Sequence, residues 1–435
     1  MLTRVLPWGR AVAGALLMSV GLVGCDRLPT LPGGGGADRV KHVFVIVLEN
    51  KNFEDTFGTS TQDPYLQKTL RPMGALLTQY YGTGHVSLDN YLSLVSGQAP
   101  TPDTDDDCIP GLTGTAGRFD DIQQTGTAAF GQVIAQHGCV YPTSVKTIAD
   151  QMTGAHLKWR GYMGDMGNDP ARENAVCGHP AVNGEDRTNS AEAPSATVPL
   201  GDAYATRHNP FVYFHSIIDS PDCAKNVVNL DQNLASDLSS YSKTPNLVFI
   251  TPNLCDDGHD GDGTGAPGKG CADGRAGGLA SADAFLQKWV PQILASPAYK
   301  QDGMLIITFD ESGFTTSTVT SQNGNTTQTL VFNGAACCNQ QPGPNLAGVR
   351  PGSFSIQASP TVTVSILING FGGDRVGALL ISPFVKPGAT SNTQYNHYSM
   401  LKSLEQVFGI TTYLGYANQP GLSSIADDTQ IFGTH

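Results

Sequence analysis

Apolar and polar positions along the chain fall into two rhythms. Four short uninterrupted apolar runs predict buried strands: Val43–Leu48, Asn246–Thr251, Met304–Phe309 and Ala378–Val385. Runs of this kind fit strands covered on both faces, which points to parallel pairing. Between them the apolar residues recur at helical spacing. Ser281–Leu294 sets Phe285, Leu286, Trp289, Val290 and Ile293 on one side, with Pro291 near its last turn. Met400–Phe408 does the same with Leu401, Leu404, Val407 and Phe408. A helix is also predicted after His85, with Leu88, Tyr91, Leu92 and Val95 on its apolar side, Ser87 as N-cap and Gly97 near its end. Strands alternating with helices predict an α/β fold, a mostly parallel sheet sandwiched between helical layers. Residues 314–370 break the pattern, being rich in Thr, Ser, Asn, Gln and Gly with β-type alternation over 359–368. They are expected to form an insertion in a single domain spanning 40–435.

The first 24 residues read as an export leader rather than as structure. Arg4 and Arg10 precede a short apolar stretch, Ala11 to Gly24, too short for a permanent span. Leu22-Val23-Gly24-Cys25 resembles a lipobox, in which the cysteine carries a lipid anchor; the other reading is an ordinary leader with an incidental Cys25. Residues 25–39, with Pro29, Pro32 and four consecutive glycines, read as a flexible tether. The remaining eight cysteines, an even number, suit disulfides in an exported chain. Proximity favours Cys108–Cys139, Cys177–Cys223 and Cys255–Cys271, which leaves Cys337 and Cys338 adjacent.

Charge narrows the function classes. Lys and Arg total 25 against 38 Asp and Glu, a net −13 that becomes −15 once Arg4 and Arg10 leave with the leader. An acidic chain without a basic run is a poor partner for nucleic-acid phosphates. At 14% charged and 40% hydrophobic, the chain is not globally disordered either. Gly263 to Gly270 approaches a phosphate-binding loop but has Gly where Ser or Thr must stand, and no Gly-x-Ser-x-Gly elbow occurs.

The residues just beyond the strands are more informative. Val43–Leu48 runs into Glu49-Asn50, Asn246–Thr251 toward Asp256-Asp257 and His259, and Met304–Phe309 into Asp310-Glu311. Ligands of open α/β sheets sit beyond the carboxyl ends of the strands. Acids gathered there repel unless a cation lies among them, so a divalent metal with Asp, Glu, Asn and His ligands is expected. Taken singly, each strand-end acid also reads as a cap or a solvated turn. Ser87 has two readings as well: a cap, or a nucleophile at a helix N-terminus, where an anion is favoured.

Four blocks in order carry a family resemblance. The run from His42 to Gly58, an apolar strand followed by Glu49-Asn50, Phe53 and Phe57-Gly58, resembles the opening of the bacterial phosphoesterase family of acid phosphatases and phospholipases C. His85-x-Ser87-Leu88-x-Asn90-Tyr91 with Ser96-Gly97, then Thr308 to Glu311, then Asn396 to Ser399 resemble its later blocks. The family is similar to the alkaline-phosphatase superfamily. The resemblance implies a three-layer α/β/α sandwich and a metal-assisted hydrolase acting on phosphate esters, phospholipids among them, through a serine nucleophile and a phosphoserine. It implies that Glu49, Asp310 and Ser87 hold one metal, with Glu311 and Asn50 contributing. Asp257, His259 and His397 would surround the departing group, through a second metal or as hydrogen-bond donors and acid, and Asn90 would position the phosphate. Two departures stand out. Asp89 replaces a common Pro and would add negative charge beside the nucleophile. Cys255 stands where an Asp four before His259 is expected. One or two metals, and Zn, Mn, Mg or Ca, remain open at this point. So does a catalytically silent surface lipoprotein that binds an anionic ligand in the same cleft.

Overall fold

A computed structural model describes residues 36–432 apart from 60–61, 110–116 and 349. The leader 1–24, Cys25 and the tether through residue 35 lie outside the described residues. The end of the expected tether is already part of the body. Gly36–Arg39 forms a 3-10 turn with Ala37 buried in the core, and the Arg39 guanidinium lies 4.2 Å over the Phe384 ring.

The two larger sheets contain β1 (His42–Leu48), β2 (Ala75–Leu77), β3 (Trp159–Met163), β4 (Val227–Asn229), β5 (Leu247–Thr251), β6 (Gly303–Phe309), β7 (Thr315–Thr320), β8 (Thr326–Phe332), β9 (Gly352–Ser359), β10 (Val362–Ile368), β11 (Ala378–Ile381) and β12 (Thr390–Ser391). Three helices matter below: α1 (Ser87–Ser96), α2 (Gly278–Ala295) and α3 (His397–Val407). The main sheet has eight strands in the order β12-β2-β11-β6-β1-β5-β3-β4. All run the same way except β11, which is antiparallel to both neighbours. Every residue of β1, β5, β6 and β11 is buried. Both faces of the sheet centre are therefore covered, as a layered α/β sandwich requires.

Three of the four expected strands occupy the centre of this sheet, in parallel. The fourth departs from expectation in direction and length. The chain leaves β6 at its carboxyl end, forms the 314–370 excursion, and re-enters without a helical crossover, so β11 must run backwards. It stops at Ile381 rather than Val385. Ser382 Oγ donates to the Gly303 carbonyl at 2.8 Å and accepts from Phe384 N at 3.2 Å, and Pro383 has no N–H to continue a ladder. The excursion is two antiparallel hairpins, β7/β8 and β9/β10, joined side by side through parallel β8 and β10. It has its own small core of Phe332, Ile366 and Ile368. The three disulfides favoured by proximity are present, and Cys337 bonds Cys338. Among the described residues no helix is long and apolar enough to cross a membrane.

Helix α3 buries an acid, Glu405. Its Oε1 accepts from Leu414 N at 2.9 Å, while Oε2 has no partner. Burial pushes its pKa up to about 8. The folded state therefore holds this proton more tightly than the unfolded chain does. The stabilisation is complete below the ordinary glutamate value and is lost as pH rises through about 8. Glu405→Gln should make the protein more stable at pH 8 by on the order of 1–2 kcal/mol, with little gain at pH 4. Thermal unfolding of both proteins at the two pH values checks this.

Candidate active site

Register places the first acids. β1 and β6 pair residue for residue to Leu48 opposite Phe309, so Glu49 and Asp310 leave the sheet side by side. The backbone then ties the three acid-bearing segments together: Asp310 N donates to Leu48 O and Glu49 N donates to Asp257 O, each at 2.9 Å. Asn50 N donates to Asp310 Oδ1 at 3.0 Å. The Asn50 side chain, with its amide nitrogen turned inward, reaches the same oxygen at 3.1 Å and Glu311 Oε1 at 3.3 Å. Glu49, Asp257, Asp310 and Glu311 are all buried.

Helix α1 brings Ser87 to these acids. Val86, in extended conformation, is the N-cap residue, and Ser87 is the first residue of the helix rather than its cap. The capping task falls to Asp107, whose Oδ1 accepts from Leu88 N at 2.8 Å. That frees the Ser87 hydroxyl, which donates to Glu49 Oε2 at 2.8 Å. The other Glu49 oxygen accepts from the Tyr91 hydroxyl, one turn along α1. Gly97, at φ 67°, ends the helix in the left-handed region and donates its N–H to Ser93 O.

Asn90, expected to position a phosphate, holds the loop before Ser87 instead. Its Oδ1 accepts from Thr83 N at 2.7 Å and Gly84 N at 3.1 Å. Its Nδ2 donates to the carbonyls of Gly84 and Val86. No donor remains for a ligand. Asp89 differs from expectation too. Both its oxygens are buried without a partner, and burial first, then Asp105, pushes its pKa well above the carboxylate range. Burial therefore works against the negative charge that the sequence suggested beside Ser87. Gly84 is needed here, since a Cβ on it would meet Asp89 Oδ2 at 2.2 Å.

The two expected histidines are not gathered with the acids. His397, first residue of α3, is buried with both ring nitrogens engaged: Nδ1 with Tyr80 OH at 2.9 Å and Nε2 with the Asp310 backbone carbonyl at 2.5 Å. Burial lowers its pKa to about 4. A neutral ring donating from Nε2 braces the Asp310 backbone and has no lone pair free for a metal. His259 stands at the rim, its side chain 38% exposed and 3.4 Å from Asp260; only its backbone N–H joins the site, donating to Asp257 Oδ1 at 2.8 Å.

Two other histidines enter instead. His208 is buried in the turn before Pro210, stacked on the Tyr91 ring at 5.3 Å. Its Nε2 lies 3.5 Å from Glu49 Oε2 and its Nδ1 3.8 Å from Asp257 Oδ2. Neither nitrogen nor Asp257 Oδ2 has a hydrogen-bond partner. Burial holds the His208 pKa well below its ordinary value, with Arg207 and His259 adding to the effect. His85, two residues before Ser87, pairs through Nδ1 with Glu311. Burial alone would lower its pKa, but Glu311 and Asp374 outweigh that and raise it to about 9. The signals for both lay in plain view: His85 opens the Ser87 block, and Thr206-Arg207-His208-Asn209-Pro210 is a turn with two basic side chains.

Burial raises the pKa of Glu49, Asp257 and Asp310, and neighbouring carboxylates push Glu49 and Asp257 up further. Glu311 is pushed to about 8 by burial despite His85. These are the marks of a site whose negative charge calls for a cation or for protons. Oxygen donors from Glu49, Asp257, Asp310, Glu311 and Ser87, with the partnerless imidazole of His208, fit a divalent ion. Among the described residues, Cys255, Cys271 and Asp273 form the one group that brings three His/Cys/Asp/Glu ligand atoms within 4.8 Å of one another, and its two sulfurs form a disulfide; the acid cluster with His208 is spaced more widely than that.

Comparison with known families places the chain as a whole. The model of the Phosphoesterase family matches residues 60–411. The chain belongs to the Phosphoesterase family. Among curated relatives, it is 24% identical over 319 residues to the phosphate-repressible acid phosphatase of Penicillium chrysogenum, covering 69% of this chain and 59% of that one. It is 23% identical over 271 residues to an acid phosphatase of Aspergillus fumigatus, covering 62% and 44%. The chain thus spans roughly half the length of these relatives. Similar solved structures include a Vibrio parahaemolyticus protein in the alkaline phosphatase superfamily, with 12% identity, TM-score 0.41 and coverage of 86% of this chain and 67% of that one. Another is murine ectonucleotide pyrophosphatase/phosphodiesterase 5 in complex with AMP, with 12% identity, TM-score 0.41 and coverage of 88% and 100%.

In this Phosphoesterase-family chain the loop role of Asn90 is directly measurable. Asn90→Ala would leave the buried N–H groups of Thr83 and Gly84 without an acceptor. A loss of about 2–4 kcal/mol is expected, seen as a lower denaturant midpoint even in metal-free protein. A phosphate-positioning residue would leave that midpoint unchanged.

Proposed function

We propose that this protein is a divalent-metal-dependent phosphoesterase in which Ser87 Oγ attacks phosphorus and Glu49 receives the serine proton. The observation that carries the reading is the 2.8 Å hydrogen bond from Ser87 Oγ to Glu49 Oε2, set among buried acids at the head of α1. Family membership supports the reaction class, and the named activity of the curated relatives, acid phosphatase, is the guide to it.

Glu49, Asp257, Asp310 and His208 would hold the metal, with Ser87, Asn50 and Glu311 beside it. Such an ion supplies positive charge for the phosphoryl oxygens and lowers the pKa of a bound hydroxyl. The chain's own residues do the rest. Ser87 Oγ forms the bond to phosphorus as the ester P–O bond breaks, and its proton moves along the existing hydrogen bond to Glu49 Oε2. His259, whose exposed side chain pairs with Asp260, would turn toward the departing alcohol to act as its acid. Water then attacks phosphorus as the bond to Ser87 Oγ breaks; the water's proton goes to His259, which restores the acid, and Glu49 returns its proton to Ser87. Tyr91 and His85 hold Glu49 and Glu311 in place, and His397 holds the Asp310 backbone. Substrates are phosphate-ester small molecules or phospholipids. Four disulfides suit an oxidising compartment, which supports export through the leader 1–24; the lipid anchor on Cys25 rests on the lipobox resemblance alone.

Metal analysis of purified protein, with p-nitrophenyl phosphate, its bis ester and phosphatidylcholine as substrates, tests this. Ser87→Ala should lower turnover by roughly 1,000-fold or more while metal content stays the same. His208→Ala should lower the metal content itself. Full activity in Ser87→Ala overturns the assignment.

A further inference from the structure

Three residues after Glu311 the chain presents Phe314, 41% exposed. Three residues of backbone reach at most about 11 Å, so the Phe314 backbone lies within about that distance of Glu311. It rests on a stack. Its centroid lies 5.2 Å from that of Phe332, with the planes at 48°. Phe332 in turn lies 4.9 Å from the His85 ring, and His85 pairs with Glu311. A continuous line of rings thus runs from solvent down to a site acid.

The surroundings of this line differ from the rest of an acidic chain. From Ser312 to Gly373 the sequence carries one formally charged side chain, Arg350, and that one is buried and ion-paired with Asp105. Phe314 and the exposed strand β7 just after it therefore offer an uncharged surface next in the chain to Glu311. A single exposed Phe is ordinary on a protein surface. A Phe supported by a second ring, beside the acids, with no charge in its segment, is built to receive another apolar or aromatic group.

We propose that Phe314, supported by Phe332, is a specificity-determining contact for the leaving group, and that the preferred substrates are phosphate esters of aromatic or otherwise apolar alcohols. This rests on the phosphoesterase reading. The phosphoryl group is held at the acids, and the departing alcohol lies against the Phe314 ring until the P–O bond breaks.

The test compares kcat/KM for phenyl and glycerol esters, each as phosphate monoester and as methyl diester, in the wild type, Phe314→Ala and Phe314→Trp. The phenyl-to-glycerol preference should fall about three- to tenfold in Phe314→Ala and be kept in Phe314→Trp. An unchanged preference in Phe314→Ala overturns the proposal. If the wild type hydrolyses none of these esters, the phosphoesterase reading fails, and calorimetric titration with phenylphosphonate and methylphosphonate decides the contact separately. Tighter binding of the phenyl compound that Phe314→Ala abolishes supports it. Equal affinities, or no binding of either, overturn it.

Discussion

Carboxylates gathered out of water repel one another and lose hydration, so a fold that buries four of them together must offset both costs. Glu49, Asp257, Asp310 and Glu311 meet where the central strands β1, β5 and β6 leave the sheet, and much of the surrounding structure answers that constraint. Hydroxyls of Ser87 and Tyr91 point at Glu49, the backbone N–H of Asn50 points at Asp310, that of His259 at Asp257, and the His85 ring at Glu311. What these donors leave over is the partnerless Asp257 Oδ2 and the two bare nitrogens of His208. That remainder is where the proposed divalent ion would bind.

The scaffold delivers these groups with little freedom. The fully buried β1 and β6 lock their register, and with it the spacing of Glu49 and Asp310. Helix α1 is aimed by a loop whose free backbone groups Asn90 satisfies, and α3 contributes His397 as a brace on the Asp310 carbonyl. The functional atoms are thus first-turn and strand-end positions held by a further layer of buried polar contacts. That is the arrangement by which a site keeps its geometry without a ligand. The charge-poor excursion of β7 to β10 reaches the site through Phe332, whose ring packs on His85. The net acidity of the chain is accordingly uneven, with acids at the strand ends and almost no charge in the 312–373 segment.

Much of this is legible in the residues. Apolar runs identify the three central strands, and the acids after them point to a shared crevice, because side-chain burial and strand ends leave local signals. Ser87 stands out as a residue at a helix start, and the three proximal cysteine pairs come from spacing. The failures share one cause. His397 and Asn90 look like ligand-facing residues because their motifs place them near Ser87 and the acids. Which way a side chain points depends on partners distant in sequence, Tyr80 and the Asp310 carbonyl for His397, and on the local loop for Asn90. His208 has the sequence surroundings of a turn residue. It is in a turn, but that turn is folded over Tyr91, and no spacing rule connects residue 208 to residue 49 or 257. The reversed direction of β11 is hidden for a similar reason, since an apolar run records burial but not strand direction.

By itself, then, the sequence determined the class of fold, the acid-bearing strand ends, the disulfide pairs of short span and the serine at the head of a helix. Each is written in local composition or spacing and needs no knowledge of distant contacts. The tertiary structure alone decided which histidines face the acids, that Asp107 takes over the cap and frees Ser87, that Asp89 is buried without a partner, and that Phe332 of the excursion packs on His85. These depend on which surfaces are buried against which. Burial sets both the direction of a side chain and the protonation state it can sustain.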